Sequence, residues 1–154
     1  MKKRGALLTM ILLMAAAASA GDSAPPSEDA AKIVAAAHLK KGQQLAASGK
    51  LESAEKEFTL GLISYEDSSA LYLGRGQVRY QQKHYPDAIA DFDQYLARVP
   101  SDTKTLFLRG IAKSLLKPED VAGACADIFG AKTAGLSMNG INGLDKYCKG
   151  QPNW

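Results

Sequence analysis

The first candidates for catalysis or metal binding in this 154-residue chain are its histidines, its cysteines and its closely spaced acids. His38 and His84 are the only imidazoles, and each would serve as a general base or a metal ligand. Asp91 and Asp93 would serve as a carboxylate pair only on one face of a helix, and residues two apart lie on opposite sides. No glycine-rich phosphate loop accompanies these residues. The sequence therefore predicts no enzyme.

Cys125 and Cys148 are the two cysteines of the chain. A zinc site needs four ligands, and the chain has no CxxC pair and no histidine close to a cysteine. In an oxidising compartment, a pair of cysteines favours a disulfide over a metal site or a catalytic thiol. The compartment of the protein therefore bears on the role of both residues.

The segment 1–20 has the layout of a secretory signal peptide. Residues 2–4 are basic, residues 5–17 form an apolar run, and residues 18–20 read Ala-Ser-Ala. A transmembrane anchor is the alternative, but it needs about 20 apolar residues. No cysteine follows the small-residue site, so a bacterial lipoprotein anchor is not supported. We expect cleavage and an exported protein, periplasmic or secreted.

Cleavage of this segment changes the charge of the chain. The full sequence has 19 Lys and Arg against 16 Asp and Glu. Three of the basic residues and none of the acids lie in residues 1–20, so the mature chain is formally neutral. A neutral chain argues against nucleic acid or anionic lipid as a partner. No later segment reaches membrane-spanning length, so we expect no direct membrane insertion after cleavage.

The elements that position these side chains are predicted to be helices throughout. Apolar residues recur at steps of three and four, capping residues precede these runs, and no window alternates as a strand does. Residues 21–27 form a flexible leader and residues 150–154 a tail. The predicted helices cover residues 28–48, 51–65, 70–83, 85–99, 103–116, 118–133 and 137–149.

A regular repeat runs through these helices, and its period of about 34 residues is typical of a helical-hairpin solenoid. It joins Gly42 with Gly76 and Gly110, His38 with Tyr72 and Leu106, Ala54 with Ala88, and Phe58 with Phe92. The third copy shifts by two positions, which aligns Ala124 and Ile128 with Ala88 and Phe92.

This pattern, over residues 35–136, resembles the tetratricopeptide repeat (TPR) family. The strongest copy covers residues 75–96, RGQVRYQQKHYPDAIADFDQYL. The copies depart from the family at repeat position 11, usually large and apolar, which holds Leu45, Arg79 and Lys113. There we expect Tyr80 and Leu115 to supply the packing.

The resemblance implies an all-α protein, a right-handed α–α solenoid of about three TPR-like hairpins plus a C-terminal capping helix, over residues 28–149. The segments 124–127 (Ala-Cys-Ala-Asp) and 146–148 (Lys-Tyr-Cys) are similar to a recurring ending of such proteins. That similarity supports a disulfide between Cys125 and Cys148 that holds the capping helix.

In TPR proteins the first helix of each hairpin lines a concave groove that holds a ligand. The resemblance assigns to this groove Ala36, Leu39, Gln43, Ala46, Ala70, Leu73, Gln77, Tyr80, Lys104, Phe107, Ile111 and Ser114. This mainly apolar surface, with Lys104 as its only charge, suits an amphipathic helix or an extended peptide. The version of the fold that grips acidic heat-shock C-termini needs Lys and Asn where this chain has Leu39 and Gln43, which argues against that ligand.

The resemblance therefore implies a non-enzymatic protein–protein interaction module without a cofactor. We expect a soluble, exported adaptor that binds a protein or peptide of an envelope or secretion complex. His38 would fill a core aromatic position of the repeat, and His84 would lie in a turn. The alternative is a structural subunit, a homo-oligomer or part of a larger assembly, in which the protein covers its own groove.

Overall fold

The computed structural model describes residues 26–117, 121–137 and 147–151, and this part of the chain holds six α-helices and no strand. The helices are α1 (Glu28–Ala47), α2 (Leu51–Ser64), α3 (Ser69–Gln81), α4 (Tyr85–Arg98), α5 (Thr103–Leu116) and α6 (Val121–Thr133). The all-α prediction is confirmed. The predicted signal peptide and most of the predicted last helix lie outside the described residues.

The ends of the helices follow local rules that the sequence displays. Asp102 precedes α5, and its side chain accepts a hydrogen bond of 3.1 Å from the backbone N–H of Lys104. Gly49, after α1, has φ +75°, a left-handed conformation that favours glycine. Lys83 occupies the equivalent position after α3 and has φ +64°.

The helices pair in chain order into three hairpins, α1 with α2, α3 with α4 and α5 with α6. Each second helix also packs on the first helix of the next hairpin, and α1 contacts α3 directly. The linkers within and between hairpins are short, so each hairpin lies against its sequence neighbour. This is the α–α solenoid that the repeat period predicts.

Each hairpin is closed by a glycine of its first helix that faces a large side chain of its second helix. A Cβ on that glycine would lie 2.5–2.9 Å from the partner, closer than real Cβ atoms approach. The pairs are Gly42 with Phe58, Gly76 with Phe92, and Gly110 with Ile128. The step from glycine to partner is equal in the first two hairpins and two positions longer in the third, which confirms the predicted shift of the third repeat.

The buried apolar residues include two separate clusters. The larger cluster lies in the first two hairpins and includes Phe58, Leu71 and Val78. The smaller cluster consists of Cys125, Ile128 and Cys148, on which Phe107, Ile111, Val121 and Tyr147 pack. The solenoid therefore has its main core at its N-terminal end and a disulfide-centred core at its C-terminal end.

Candidate protein-binding groove

The face formed by α1 and α3 carries a depression with a volume of 240 Å³. Gly74 shapes this depression, because a Cβ there would lie 2.7 Å from the ring of Phe58. The ring of Phe58 on α2 therefore reaches the wall of the depression from the core. Its lining consists of Gln43, Ala46, Phe58, Ala70, Leu73, Gly74, Gln77, Val78 and Gln81.

A second depression, of 290 Å³, adjoins the first on the side of α5. It is lined by Gln77, Tyr80, Gln81 and Leu108. Gln77 and Gln81 belong to both depressions, so the two form one continuous surface along the first helices of the hairpins. We call this combined surface the groove.

The lining of the groove is electrically neutral. It consists of amides, apolar side chains and the phenol of Tyr80. Burial, and then the neighbouring Tyr85, raise the pKa of Tyr80, so its phenol stays protonated at neutral pH. The two rings meet edge to face with centroids 5.8 Å apart, which fixes one wall of the second depression.

Two solved structures share this arrangement of helices. One is "First TPR of Spaghetti (RPAP3) bound to HSP90 peptide SRMEEVD", with a TM-score of 0.67 and 22% identity over 75% of this chain and 91% of that chain. The chain has the TPR fold. The second RPAP3 TPR, bound to the same peptide, matches with a TM-score of 0.61 and 22% identity over 67% of this chain and 94% of that one. No protein-family model and no curated protein matches the sequence.

The structure divides the residues predicted for the TPR groove into two sets. Six of the twelve line the groove: Gln43, Ala46, Ala70, Leu73, Gln77 and Tyr80. The other six lie elsewhere: Leu39 packs on the main core, Phe107 and Ile111 pack on the disulfide-centred core, Ala36 and Lys104 are exposed outside the lining, and Ser114 donates to the carbonyl oxygen of Ile111. The groove therefore draws on the first two TPR hairpins more than on the third.

Several lining residues lie outside the ligand-facing repeat positions of the first helices. Phe58 belongs to a second helix, and Gln81 directly follows Tyr80. Gly74 and Leu108 occupy the same place in successive TPR copies. The second copy has glycine at this repeat position and the third copy has leucine, and this difference is the sequence signal that the two depressions differ in shape.

A ladder of ion pairs to buried acids runs through the three TPR hairpins. In each hairpin, a basic residue of the first helix binds a buried acid of the second helix. The pairs are Lys41 with Glu57 at 2.7 Å, Arg75 with Asp91 at 2.7 Å, and Arg109 with Asp127 at 2.8 Å from Nε to Oδ2. We call these three pairs the charge ladder. Its bases follow one another at the spacing of the repeat in the sequence, so this regularity is a signal that the sequence itself contains.

The charge ladder corrects one sequence expectation. Arg79 and Lys113 hold the repeat position that is usually apolar, and they bind the same acids, Arg79 to Asp91 at 2.9 Å and Lys113 to Asp127 at 2.7 Å. Leu115 is 50% exposed, so the expectation that it supplies the packing there is wrong. In the second and third hairpins this position therefore holds a base that binds the buried acid, whereas in the first hairpin Leu45 packs on the main core and Glu57 is bound by Lys41 and His38.

The two histidines and the two cysteines lie apart from the lining of the groove. His38 is half-buried, and its Nδ1 lies 2.8 Å from Oε2 of Glu57, while His84 is exposed before α4. Cys125 and Cys148 form a disulfide with Cα atoms 5.5 Å apart. Among the described residues, no group of acids, histidines and cysteines is arranged to hold a metal ion. None of the described helices is both long enough and apolar enough to cross a membrane.

Proposed function

We propose that this chain is a non-enzymatic protein-interaction module that binds a neutral peptide or an amphipathic helix in its groove. The observation that carries the proposal is the pair of adjoining depressions on the first helices of the TPR hairpins. Their lining alternates amides with apolar surface, which is the combination that protein-binding sites use to accept a ligand's backbone and its apolar side chains.

The amides suit the backbone of a ligand. Gln43, Gln77 and Gln81 are exposed at the groove, and a primary amide both donates to a carbonyl and accepts from an N–H. Leu73 offers apolar contact, with the buried ring of Phe58 behind the wall of the depression. An extended peptide that carries one apolar side chain into the first depression would use both kinds of contact.

The preference for a neutral ligand separates this groove from the two RPAP3 domains. Those domains have the same fold and are bound to the acidic HSP90 peptide SRMEEVD. This chain has Leu39 and Gln43 where the carboxylate-binding version of the fold needs Lys and Asn. With no cation in the lining, an acidic peptide would lose its hydration without gaining an opposite charge.

We further propose that the protein works outside the cytoplasm, as a soluble adaptor of an envelope or secretion complex. The proposal rests on the signal-peptide layout of residues 1–20 and on the disulfide, a bond typical of oxidising compartments. Mass spectrometry of the protein recovered from the exported fraction tests it. Loss of residues 1–20 and a mass two hydrogen atoms below the dithiol form would agree, and a full-length reduced protein would contradict it.

The groove is tested with peptides selected from a displayed random library on the wild-type chain. For a selected peptide, Leu73→Glu should raise the Kd by at least about tenfold, since it places a charge in the apolar wall. Ala97→Glu, on an exposed part of α4 remote from the lining, is the matched control and should leave the Kd unchanged. Equal Kd values for all three proteins, or tight binding of SRMEEVD, would overturn the proposal.

A structural role is the second candidate, because part of the predicted TPR surface is covered. Phe107 and Ile111 pack on the disulfide-centred core, so the third hairpin offers less apolar surface to a ligand. In this case no selected peptide would depend on Leu73, and the working surface would lie elsewhere on the solenoid.

A further inference from the structure

We propose that the first depression of the groove is an anchor site for one uncharged aromatic side chain of the ligand, a tryptophan or a tyrosine whose N–H or O–H binds an amide of the lining. The inference rests on the proposed use of the groove for peptide binding and names the side chain that the peptide must bring. Nine residues line the anchor site, whereas four line the second depression, so the second depression is the more open of the two.

Three small residues leave room for a ligand in the anchor site. Ala46 of α1 and Ala70 and Gly74 of α3 belong to its lining. One repeat later along the chain, between the second and third hairpins, the same places hold larger side chains, namely Tyr80, Lys104 and Leu108. The space of the anchor site is therefore a property of the first two hairpins and not of the repeat in general.

The packing of the core keeps residue 74 small. A Cβ on Gly74 would lie 2.7 Å from Cε1 and 2.8 Å from Cζ of Phe58, closer than real Cβ atoms approach. The ring of Phe58 is only 1% exposed, and it also lies against Gly42, so it has no room to move aside. The core therefore requires a glycine here, and the wall of the anchor site has no side chain at this point.

The volume of the anchor site favours a ring over an aliphatic side chain. An apolar cavity of about 150 Å³ is large enough to hold benzene. The anchor site has a volume of 240 Å³, which leaves room for a phenol or an indole. A leucine side chain would leave part of this space unfilled, whereas an aromatic ring would fill more of it and bury more apolar surface.

The polarity of the lining favours an uncharged ring that carries a hydrogen-bond donor. None of the nine lining residues is charged, so a charged side chain would lose its hydration without gaining an opposite charge. The side-chain amides of Gln43, Gln77 and Gln81 are exposed and form no hydrogen bond among the described residues. An amide oxygen accepts a hydrogen bond from an indole N–H or a phenol O–H. Tryptophan and tyrosine therefore complement the site in both size and polarity.

Peptides selected from a displayed random library on the wild-type chain test the inference from the side of the ligand. Those whose Kd rises with Leu73→Glu should share one tryptophan or tyrosine. In such a peptide, replacement of this residue by leucine should raise the Kd by at least about tenfold, and replacement by alanine by at least about thirtyfold. Phenylalanine keeps a ring without a donor, so it should raise the Kd by about threefold, the effect of one lost hydrogen bond.

Two substitutions in the chain narrow the anchor site. Ala70→Leu, at an exposed position of the lining, should raise the Kd of the aromatic peptide by at least about tenfold and bring it close to that of the leucine version. Ala36→Leu is the matched control, because Ala36 holds the same repeat position on α1, is exposed and lies outside the lining. Ala46→Tyr, which copies the residue found one repeat later, should act in the same way, with the exposed Ala47→Tyr as its control.

The outcomes separate the anchor site from the proposed function. Circular dichroism melting first establishes that the variants are folded. Peptides that depend on Leu73 but lack an aromatic residue would overturn the anchor site and leave peptide binding in place. So would a ratio of the leucine to the aromatic peptide Kd that Ala70→Leu leaves unchanged. Absence of any selected peptide that depends on Leu73 would overturn both the anchor site and the proposed function.

Discussion

Arg75 donates to both carboxylate oxygens of Asp91, with 2.7 Å from Nη2 to Oδ1 and 3.0 Å from Nε to Oδ2. Asp91 is only 2% exposed, and Arg79 donates to the same carboxylate at 2.9 Å. The middle hairpin is thus held by one buried acid shared between two guanidinium groups. Such a fork-to-fork geometry is among the stronger forms of ion pair in proteins.

Removal of this acid should be strongly destabilising. Asp91→Ala would leave Arg75 largely buried without an ionic partner and Arg79 with Glu55 alone, and we expect a loss of about 3 kcal/mol in the free energy of unfolding. Asp93→Ala is the matched control, because its side chain is 52% exposed and Arg109 keeps its bond to Asp127. The control should lose less than about 1 kcal/mol. Urea unfolding measures the free energy of unfolding of both variants. Similar losses in the two would show that the buried pair stabilises the protein no more than an exposed ion pair does.

The acid of the first hairpin should make stability depend on pH. The hydrogen bond from Lys41, and then that from His38, hold the pKa of Glu57 below its ordinary value of 4.5. A carboxyl with a lowered pKa in the folded state stabilises the protein above pH 4.5, and this contribution disappears as the pH falls through the folded pKa. In Glu57→Gln, the unfolding free energy should therefore fall less steeply below about pH 4.5.

Thermal unfolding from pH 7 down to pH 3 checks this expectation. Glu52→Gln serves as the control, because Glu52 is exposed in the first turn of the same helix and makes no ion pair among the described residues. A pH profile of Glu57→Gln that runs parallel to the wild type would contradict the expected linkage.

Two glycines of the third hairpin should respond in opposite directions to alanine. At Gly110 a Cβ would lie 2.8 Å from Ile128 and 2.9 Å from the carbonyl oxygen of Ala124, so Gly110→Ala should destabilise by about 1–3 kcal/mol. At Gly130 the nearest atom, on Leu106, is 3.9 Å away. Gly130→Ala should therefore stabilise α6 by up to about 1 kcal/mol, as expected from helix propensity. Chemical denaturation of the two variants measures these changes in the free energy of unfolding. Destabilisation by both substitutions would mean that the packing at Gly130 is tighter than this distance indicates.

Gly49 and Lys83 hold equivalent left-handed positions in the turns after α1 and α3, so the glycine and the lysine can be exchanged between the two turns. The left-handed conformation of Lys83 costs about 1–2 kcal/mol, and glycine would recover only part of this because it loses more backbone entropy on folding. Lys83→Gly should therefore stabilise by about 0.5–1 kcal/mol, and Gly49→Lys should destabilise by a similar amount. Calorimetric melting temperatures of the two variants should move apart. A lower melting temperature for Lys83→Gly would show that the lysine side chain makes a compensating contact.

The helices and their pairing could be predicted because the signals are local or strictly periodic. Gly49 ends a helix through its own backbone conformation, and the Gly42–Phe58 spacing recurs at Gly76. The groove could be predicted only in part. Phe107 and Ile111 hold ligand-facing positions by their place in the repeat, but they pack on a core that includes Cys148, far along the chain. No repeat pattern reports such a contact.

The charge ladder shows a different limit of sequence reasoning. Arg79 and Lys113 break the apolar pattern of the repeat, and each departure makes sense only beside its buried acid. An ion pair between helices depends on two positions at once. Comparison of one position with its own repeats therefore does not reveal it.

The ring of Phe58 belongs at the same time to the main core and to the wall of the groove. A ligand in the first depression would lie over a buried ring that also closes the hairpin against Gly42. Ligand preference and thermal stability are therefore not separate traits at this position. A substitution of Phe58 that changes the shape of the wall would also destabilise the hairpin. We therefore expect substitutions that change ligand specificity to occur at Leu73, Gln77 and Leu108 instead.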